Sequence, residues 1–231
     1  DDPAVKSALK VLETGVQENG GIYSPKSRMM TYETCVVVMA FTAANKDGRY
    51  DQVLAKADKF LRQVPFDAEE GHDRSSPQFG GSGYGGPGRP DLSNTAFFVE
   101  ALRGLGAGAD DQSIQAALVF ISRCQNLESE HNTTEFAGKI NDGGFYYSPV
   151  VNDDSRDDVS GGLRSYGAMS YSGLKSMVFA GLGKEDPRVK AVMKWIGKNY
   201  SVTTNPGMGE AGLFYYYLTF AKGLAAAGLD E

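Results

Sequence analysis

An apolar spacing that repeats four times along the chain constrains its fold more than any other feature of the sequence. Each copy places three apolar residues at positions i, i+4 and i+7, which brings three side chains to one face of a helix. The four copies are Val5, Leu9 and Leu12; Val53, Ala57 and Phe60; Ile114, Leu118 and Ile121; and Val189, Met193 and Ile196. The pattern predicts a repeated α-helical unit.

Each unit is predicted to pair an outer helix with an inner one. The outer helices carry polar residues opposite their apolar face, and two of them begin with an Asp N-cap followed by proline, at Asp2-Pro3 and Asp186-Pro187. The segments that follow are apolar on nearly all sides, which is typical of helices covered all round. Helices are predicted over 3–17, 32–45, 51–64, 93–105, 111–125, 166–182, 187–199 and 212–227. The sequence therefore predicts an all-α fold of four helix hairpins.

Glycine marks two recurrent places in these units. A glycine-aromatic turn separates the outer from the inner helix, as in Gly20-Gly21-Ile22-Tyr23 and Gly143-Gly144-Phe145-Tyr146. Glycines after the inner helices are predicted to end them in the left-handed conformation. They are Gly48, Gly106, Gly183 and Gly228. If Gly144 has a positive φ, we expect Gly144→Val to cost about 1–3 kcal/mol of stability, because a β-branched residue is strained there.

Composition narrows the class of protein. The 231 residues, 41% of them hydrophobic, are enough for one domain over 1–231. The net charge of −6, without a Lys/Arg cluster, argues against a nucleic-acid partner. The longest apolar run, near Cys35 to Phe41, is far shorter than the roughly 20 residues of a membrane span. Cys35 and Cys124 are predicted to be small buried hydrophobes. No motif indicates a cofactor, and the cellular compartment is left open.

Three long loops are predicted on one side of the helices, at about 64–92, 126–165 and 200–211. Repeat folds commonly place functional residues on such loops. An acidic tract, Asn152–Asp158, lies in the second loop and lacks the glycine and distal glutamate of a calcium-binding loop. We expect it to be a solvated segment.

The order of outer helix, Gly-Gly-aromatic turn and apolar inner helix resembles the repeat of the prenyltransferase and squalene-cyclase family over essentially the whole chain. Asp142-Gly143-Gly144-Phe145 resembles the family's turn, 161–174 is similar to a loop and inner helix of protein prenyltransferase β chains, and 90–96 resembles the stretch that carries the acidic motif of triterpene cyclases. The resemblance implies an α/α toroid around a central cavity. Four hairpins imply an incomplete or open ring, so we expect flanking repeats of a longer protein, or another copy in a homo-oligomer, to cover its ends.

The family's catalytic motifs are incomplete in this chain. Of the acidic motif, Asp91 matches the first position, whereas Ser93 and Asn94 are too weakly acidic to protonate an alkene. Glu33-Thr34-Cys35 resembles the first two zinc ligands of protein prenyltransferases, but the position of the family's histidine falls near Gly167. We therefore expect no metal site, no squalene cyclisation and no zinc-dependent prenyl transfer.

Aromatic residues on the inner helices and their entry loops predict a central apolar cavity suited to an isoprenoid or sterol-like small molecule. The candidate ligand-binding residues are Asp91, Asn94, Phe97, Tyr146, Tyr166, Tyr171, Tyr216 and Arg164. No catalytic residue is identified. Two alternatives stay open: a non-catalytic protein-interaction module, and a carbohydrate-active toroid in which Asp91 would pair with Asp142 or Glu210.

Overall fold

The fold is all-α, as the sequence predicts. A computed structural model describes residues 2–86, 88–151 and 161–229, so the acidic tract of 152–158 lies outside the described residues. The helices within these ranges are α1 (Pro3–Glu13), α2 (Met30–Ala44), α3 (Asp51–Leu61), α4 (Leu92–Gly104), α5 (Gln112–Arg123), α6 (Ala137–Ile140), α7 (Gly167–Phe179), α8 (Pro187–Asn199) and α9 (Leu213–Ala226). All eight predicted helices are present, and the four-residue α6 is an addition.

The helices form two layers. The inner helices α2, α4, α7 and α9 pack side by side in that order, so α2 and α9 are the ends of a row. Outer helix α3 packs against α2 and α4, α5 packs against α4 and α7, and α8 packs against α7. Outer and inner helices therefore alternate along the chain, as the apolar pattern predicts.

Asp-Pro signals start two of the outer helices as predicted. The side chain of Asp2 accepts a hydrogen bond from the backbone N–H of Ala4, and that of Asp186 accepts one from Arg188, in each case with proline in the first turn. These bonds satisfy N–H groups that would otherwise lack a partner at the start of a helix.

Glycines end three of the four inner helices, and two of the predicted positions need correction. The helix α2 already ends at Ala44 with Asn45 as its C-cap, so Gly48, although its φ is 77°, does not end it. Gly106 and Gly228 have φ angles of 93° and 68°, as predicted, whereas α7 is ended by Gly181, with φ 88°, and not by Gly183. The N–H of Leu182 donates to the carbonyl of Met177, and α7 ends at Phe179, three residues before the predicted end at 182.

The Gly-Gly turns hold each unit against the outer helix of the next. The pairs are Gly20-Gly21, Gly80-Gly81 and Gly143-Gly144. In each pair the first glycine has a positive φ and lies against a backbone carbonyl of the next outer helix. The second glycine faces an aromatic ring of the same outer helix, four residues after the one that supplies the carbonyl. The carbonyl and ring residues are Lys56 and Phe60, Ala116 and Phe120, and Ala191 and Trp195. The premise for Gly144→Val is therefore wrong, because Gly143, with φ 85°, is the residue in the left-handed region.

Each of the three Gly-Gly turns is also hydrogen-bonded to a side-chain hydroxyl group of an inner helix. The hydroxyls belong to Thr34, Thr95 and Ser170. Each accepts a hydrogen bond from the backbone N–H of the residue after the Gly-Gly pair, over 2.9, 3.0 and 3.1 Å. Each also donates to the backbone carbonyl four residues earlier, in the first turn or at the N-cap of its helix. The repeat of this arrangement positions the N-terminal ends of the inner helices relative to the turns.

We expect Thr95→Val to lower the free energy of unfolding by about 1–3 kcal/mol, because it leaves the buried N–H of Ser82 without its acceptor. Thr42→Val is the matched control, since the hydroxyl of Thr42 is buried and has no hydrogen-bond partner among the described residues. Urea denaturation of both variants measures the difference. Equal losses would show that the hydroxyl of Thr95 does not stabilise the turn.

The last inner helix leaves an apolar face uncovered. Phe214 is 88% exposed, and Leu218 and Tyr217 are also exposed. The expectation that flanking repeats or a second copy cover the ends of the row stays a prediction.

Candidate functional site

A cavity of about 470 Å³ lies where the N-terminal ends of the four inner helices meet. We call it the aromatic cavity. Its lining residues are Met29, Tyr32, Tyr84, Ser93, Phe97, Tyr147, Tyr166, Ala168, Met169, Asn205, Met208, Ala211, Gly212 and Tyr215. Met29 and Ala211 are exposed, so the cavity opens to solvent beside them.

Four aromatic rings form a continuous wall of the aromatic cavity. Tyr32 lies edge-on to Phe97 with ring centroids 5.3 Å apart, and the ring of Tyr84 is 6.1 Å from that of Tyr32. Phe97 in turn lies 6.4 Å from Tyr215. The hydroxyls of Ser93 and Tyr215 are hydrogen-bonded to each other over 2.7 Å, which satisfies two polar groups of this wall. Ring faces and methionine side chains are thus left to contact a ligand.

A second cavity, of about 920 Å³, adjoins the aromatic cavity and shares Tyr84 and Tyr147 with it. Its lining is mixed, with Phe60 and Phe66 among the apolar residues and Asp91 among the polar ones. A smaller cavity of about 130 Å³ shares Tyr147, Tyr166 and Met208 with the aromatic cavity and is lined also by Tyr146, Arg89 and Arg164.

Asp91 is the buried acid of this region, with 2% of its surface exposed. It caps α4: its carboxylate accepts hydrogen bonds from the backbone N–H of Asn94 over 2.9 Å and from the Asn94 side-chain amide over 2.7 Å. Burial raises the pKa of Asp91, and this effect outweighs the hydrogen bonds of Asn94 and Tyr147, which lower it. Such a carboxyl group keeps its proton to a higher pH than an exposed aspartate does.

The tyrosines around Asp91 stay neutral over a wide pH range. Burial and the negative charge of Asp91 raise the pKa of Tyr147, and burial, with Tyr215 and Asp91, raises that of Tyr166. Burial raises the pKa of Tyr215 as well. The lining of the aromatic cavity is therefore uncharged at physiological pH, which favours a neutral or apolar ligand.

The structure distributes the eight predicted site residues over several places. Phe97 and Tyr166 line the aromatic cavity, and Asp91 lines the second cavity of about 920 Å³. Tyr146 and Arg164 line the cavity of about 130 Å³. Asn94 is buried against Asp91, and Tyr171 and Tyr216 pack against each other with ring centroids 5.8 Å apart. Of the tyrosines at 215–217, Tyr215 lines the aromatic cavity.

Sequence reasoning left Tyr84, Tyr147 and Met208 out of the site. All three lie in loops, where no helical periodicity indicates the direction of a side chain. One local signal was present, because Tyr84 is flanked by glycines at Gly83 and Gly85.

The cysteine and glutamate near the start of α2 have structural contacts. The carboxylate of Glu33 accepts hydrogen bonds from the N–H of Ser24 and the hydroxyl of Ser27. Cys35 is fully buried, and burial raises the pKa of its thiol far above the ordinary value. In the part of the chain that the structure describes, no three His, Cys, Asp or Glu residues come together as a metal site requires.

No protein-family model matches the chain, and no curated protein is significantly similar to it. None of the helices in the described ranges has the length and hydrophobicity needed to cross a membrane.

Proposed function

We propose that this chain binds an isoprenoid-type apolar small molecule in the aromatic cavity, and that it is a toroid-type protein of the prenyltransferase and squalene-cyclase kind. The observation that carries the proposal is the wall of rings contributed by α2, α4, α9 and the loop at Tyr84. The volume of about 470 Å³ falls within the range of about 300–1,000 Å³ that is usual for small-molecule sites.

The energetics favour a hydrocarbon ligand. Each Å² of apolar surface that leaves water contributes about 25 cal/mol, and aromatic rings supply large contact areas with few rotatable bonds. The pairing of Ser93 with Tyr215 means that a hydrocarbon beside them leaves neither hydroxyl without a partner. The faces of the rings can also accommodate a cationic group.

The carbohydrate alternative has less support. Asp142, one of the two carboxylates considered as a partner for Asp91, accepts hydrogen bonds from the N–H of Gly144, the hydroxyl of Ser165 and the indole of Trp195. These bonds indicate that Asp142 fixes the third Gly-Gly turn to α8. A catalytic carboxylate would instead need its oxygens free to face a sugar.

The test is extraction of lipid from the purified protein with identification by mass spectrometry, followed by equilibrium binding of farnesol. We expect saturable binding that Ala211→Trp abolishes, because the indole would fill the mouth of the aromatic cavity. Ala225→Trp is the control, since Ala225 lies on an exposed part of α9 and does not line the cavity. The proposal fails if farnesol does not bind, or if both variants bind it like the wild type.

We expect the purified protein neither to turn over squalene nor to transfer a prenyl group to a thiol with zinc. Ser93, at an acid position of the cyclase motif, is hydrogen-bonded to Tyr215, and the thiol of Cys35 is buried and protonated. Gas chromatography of squalene incubations and metal analysis of the protein check these expectations. Squalene turnover that is lost in Asp91→Ala, or stoichiometric zinc, would contradict them.

A further inference from the structure

A polar cavity of about 350 Å³ lies on the outer layer, beside α5 and the start of α8. We call it the outer pocket. Its lining residues are Arg74, Gln115, Leu118, Val119, Ser122, Arg123, Glu130, His131, Thr133 and Arg188. None of them lines the aromatic cavity. Three arginines around one cavity reverse the sign of the local charge in a chain whose net charge is −6.

Arg188 forms a fixed, buried wall of the outer pocket. It is 8% exposed, and its guanidinium donates to the Asp186 carboxylate over 3.0 and 2.8 Å and to the hydroxyl of Ser122 over 3.0 Å. The charge of Arg188 is thus balanced by Asp186, and its position is held by three hydrogen bonds.

The charge of Arg123 is not neutralised by a carboxylate in this way. It ends α5, and its guanidinium donates to the backbone carbonyls of Ser76 and Arg74, which carry no formal charge. Among the described residues no ion pair to a carboxylate is formed by Arg123 or Arg74. Burial, together with the charge of Arg74, lowers the pKa of Arg123, as expected where two cations lie close together.

The negative groups at the outer pocket are too few to compensate. Asp186 is occupied by Arg188, and the side chain of Glu130 is 89% exposed and lies 3.9 Å from the ring of His131. Three arginines therefore face one paired and one solvated carboxylate, which leaves an excess positive charge inside a concave, partly desolvated surface.

We propose that the outer pocket binds a phosphate group, free or carried by a small molecule, between Arg74 and Arg123. The planar guanidinium groups of arginine match the oxygens of phosphate, and hydrogen bonds between charged partners are about twice as strong as neutral ones. Ser122, Thr133 and His131 add polar groups to the lining. This site is separate from the proposed isoprenoid cavity, so either proposal can fail without the other.

Titration calorimetry with inorganic phosphate and with glycerol phosphate, at low ionic strength, tests the proposal. We expect binding that Arg123→Gln and Arg74→Gln each weaken by about tenfold or more, as loss of a charged hydrogen bond implies. Glu130→Gln should strengthen binding, since it removes a negative charge from the rim. Arg74 is exposed, so its variant is expected to fold even if Arg123→Gln does not. Comparison of the two ligands shows whether the site takes a free or an esterified phosphate.

Arg103→Gln is the matched control. Arg103 lies in the last turn of α4, is exposed, and donates to the backbone carbonyl of Ala107, yet does not line the outer pocket. It should bind phosphate like the wild type. The proposal is overturned if phosphate does not bind at millimolar concentration, if Arg74→Gln leaves binding unchanged, or if Arg103→Gln weakens it as much, which would indicate a general charge effect.

Discussion

Replacement of Gly80 by alanine is expected to lower the free energy of unfolding by about 2–5 kcal/mol, the sum of two costs. Gly80 has a φ of 76°, a left-handed conformation that strains residues with a Cβ. In addition, a Cβ at this position would lie 1.9 Å from the carbonyl oxygen of Ala116 in α5. Because that oxygen belongs to the backbone of an outer helix, α5 or the turn would have to move.

Gly106→Ala separates the two costs. Gly106 has a φ of 93°, but a Cβ there would meet no atom within 4 Å, so we expect only the conformational cost of about 1–2 kcal/mol. Urea denaturation with a common m-value compares the variants. Equal losses for Gly80→Ala and Gly106→Ala would show that close approach to α5 contributes nothing to stability.

A partly buried charge cluster joins three inner helices and is the second place where we expect a large effect. Glu100 of α4 accepts hydrogen bonds from Lys175 of α7 and Lys222 of α9, both over 2.5 Å. The side chain of Lys175 is only 5% exposed. Burial raises the pKa of Glu100, but the two ammonium groups lower it by more, so the net effect is a pKa below the ordinary value for glutamate.

We expect Glu100→Gln to cost about 3–5 kcal/mol, because it leaves the ammonium of Lys175 buried beside that of Lys222 without a negative partner. Glu185→Gln is the control. It breaks an ion pair with Lys190 in which both side chains are mostly exposed, and no resolvable change is expected. Thermal and urea denaturation at pH 7 measure both. A loss no larger than that of Glu185→Gln would contradict the prediction.

The pH dependence of the Glu100→Gln effect follows from the directions of the pKa shifts. The folded pKa of Glu100 is lowered, so its contribution to wild-type stability is complete above pH 4.5 and is lost as the pH falls through the folded pKa. The pKa of Lys175 is lowered from 10.5 by burial, and removal of Glu100 lowers it more. The variant should therefore regain stability as the pH rises toward 10.5, and the difference from the wild type should be largest near neutral pH.

Sequence patterns predicted the helices well where local chemistry decides them. α8 was predicted over the bounds that it has, 187–199, because an Asp-Pro pair starts it and an apolar stripe continues to Ile196. The end of α7 was predicted three residues too late, because Leu182 continues the apolar pattern after Gly181 has already ended the helix. The single turn of α6 is too short for any periodicity to indicate it.

The role of each glycine in the Gly-Gly turns could not be read from the sequence. The pairs are visible in the sequence as repeats, but which of Gly143 and Gly144 contacts the backbone of α8 and which contacts its aromatic ring depends on the position of α8. The first glycine must avoid a carbonyl of that helix, and the second must admit the ring of Trp195. Only the packing of one unit on the next imposes these distances.

For the candidate site, too, some features could be predicted from local sequence, whereas others depend on tertiary packing. The sequence by itself determined that the chain is helical and that its units alternate between an outer and an inner helix. It also determined that aromatic residues such as Phe97 and Tyr166 lie at the starts of the inner helices. These features follow from the sequence because periodicity and capping act within a few residues. Tertiary structure alone decided that Tyr215 and not Tyr216 lines the cavity. Adjacent residues of a helix point about 100° apart, and the rotation of α9 is set by its packing against α7.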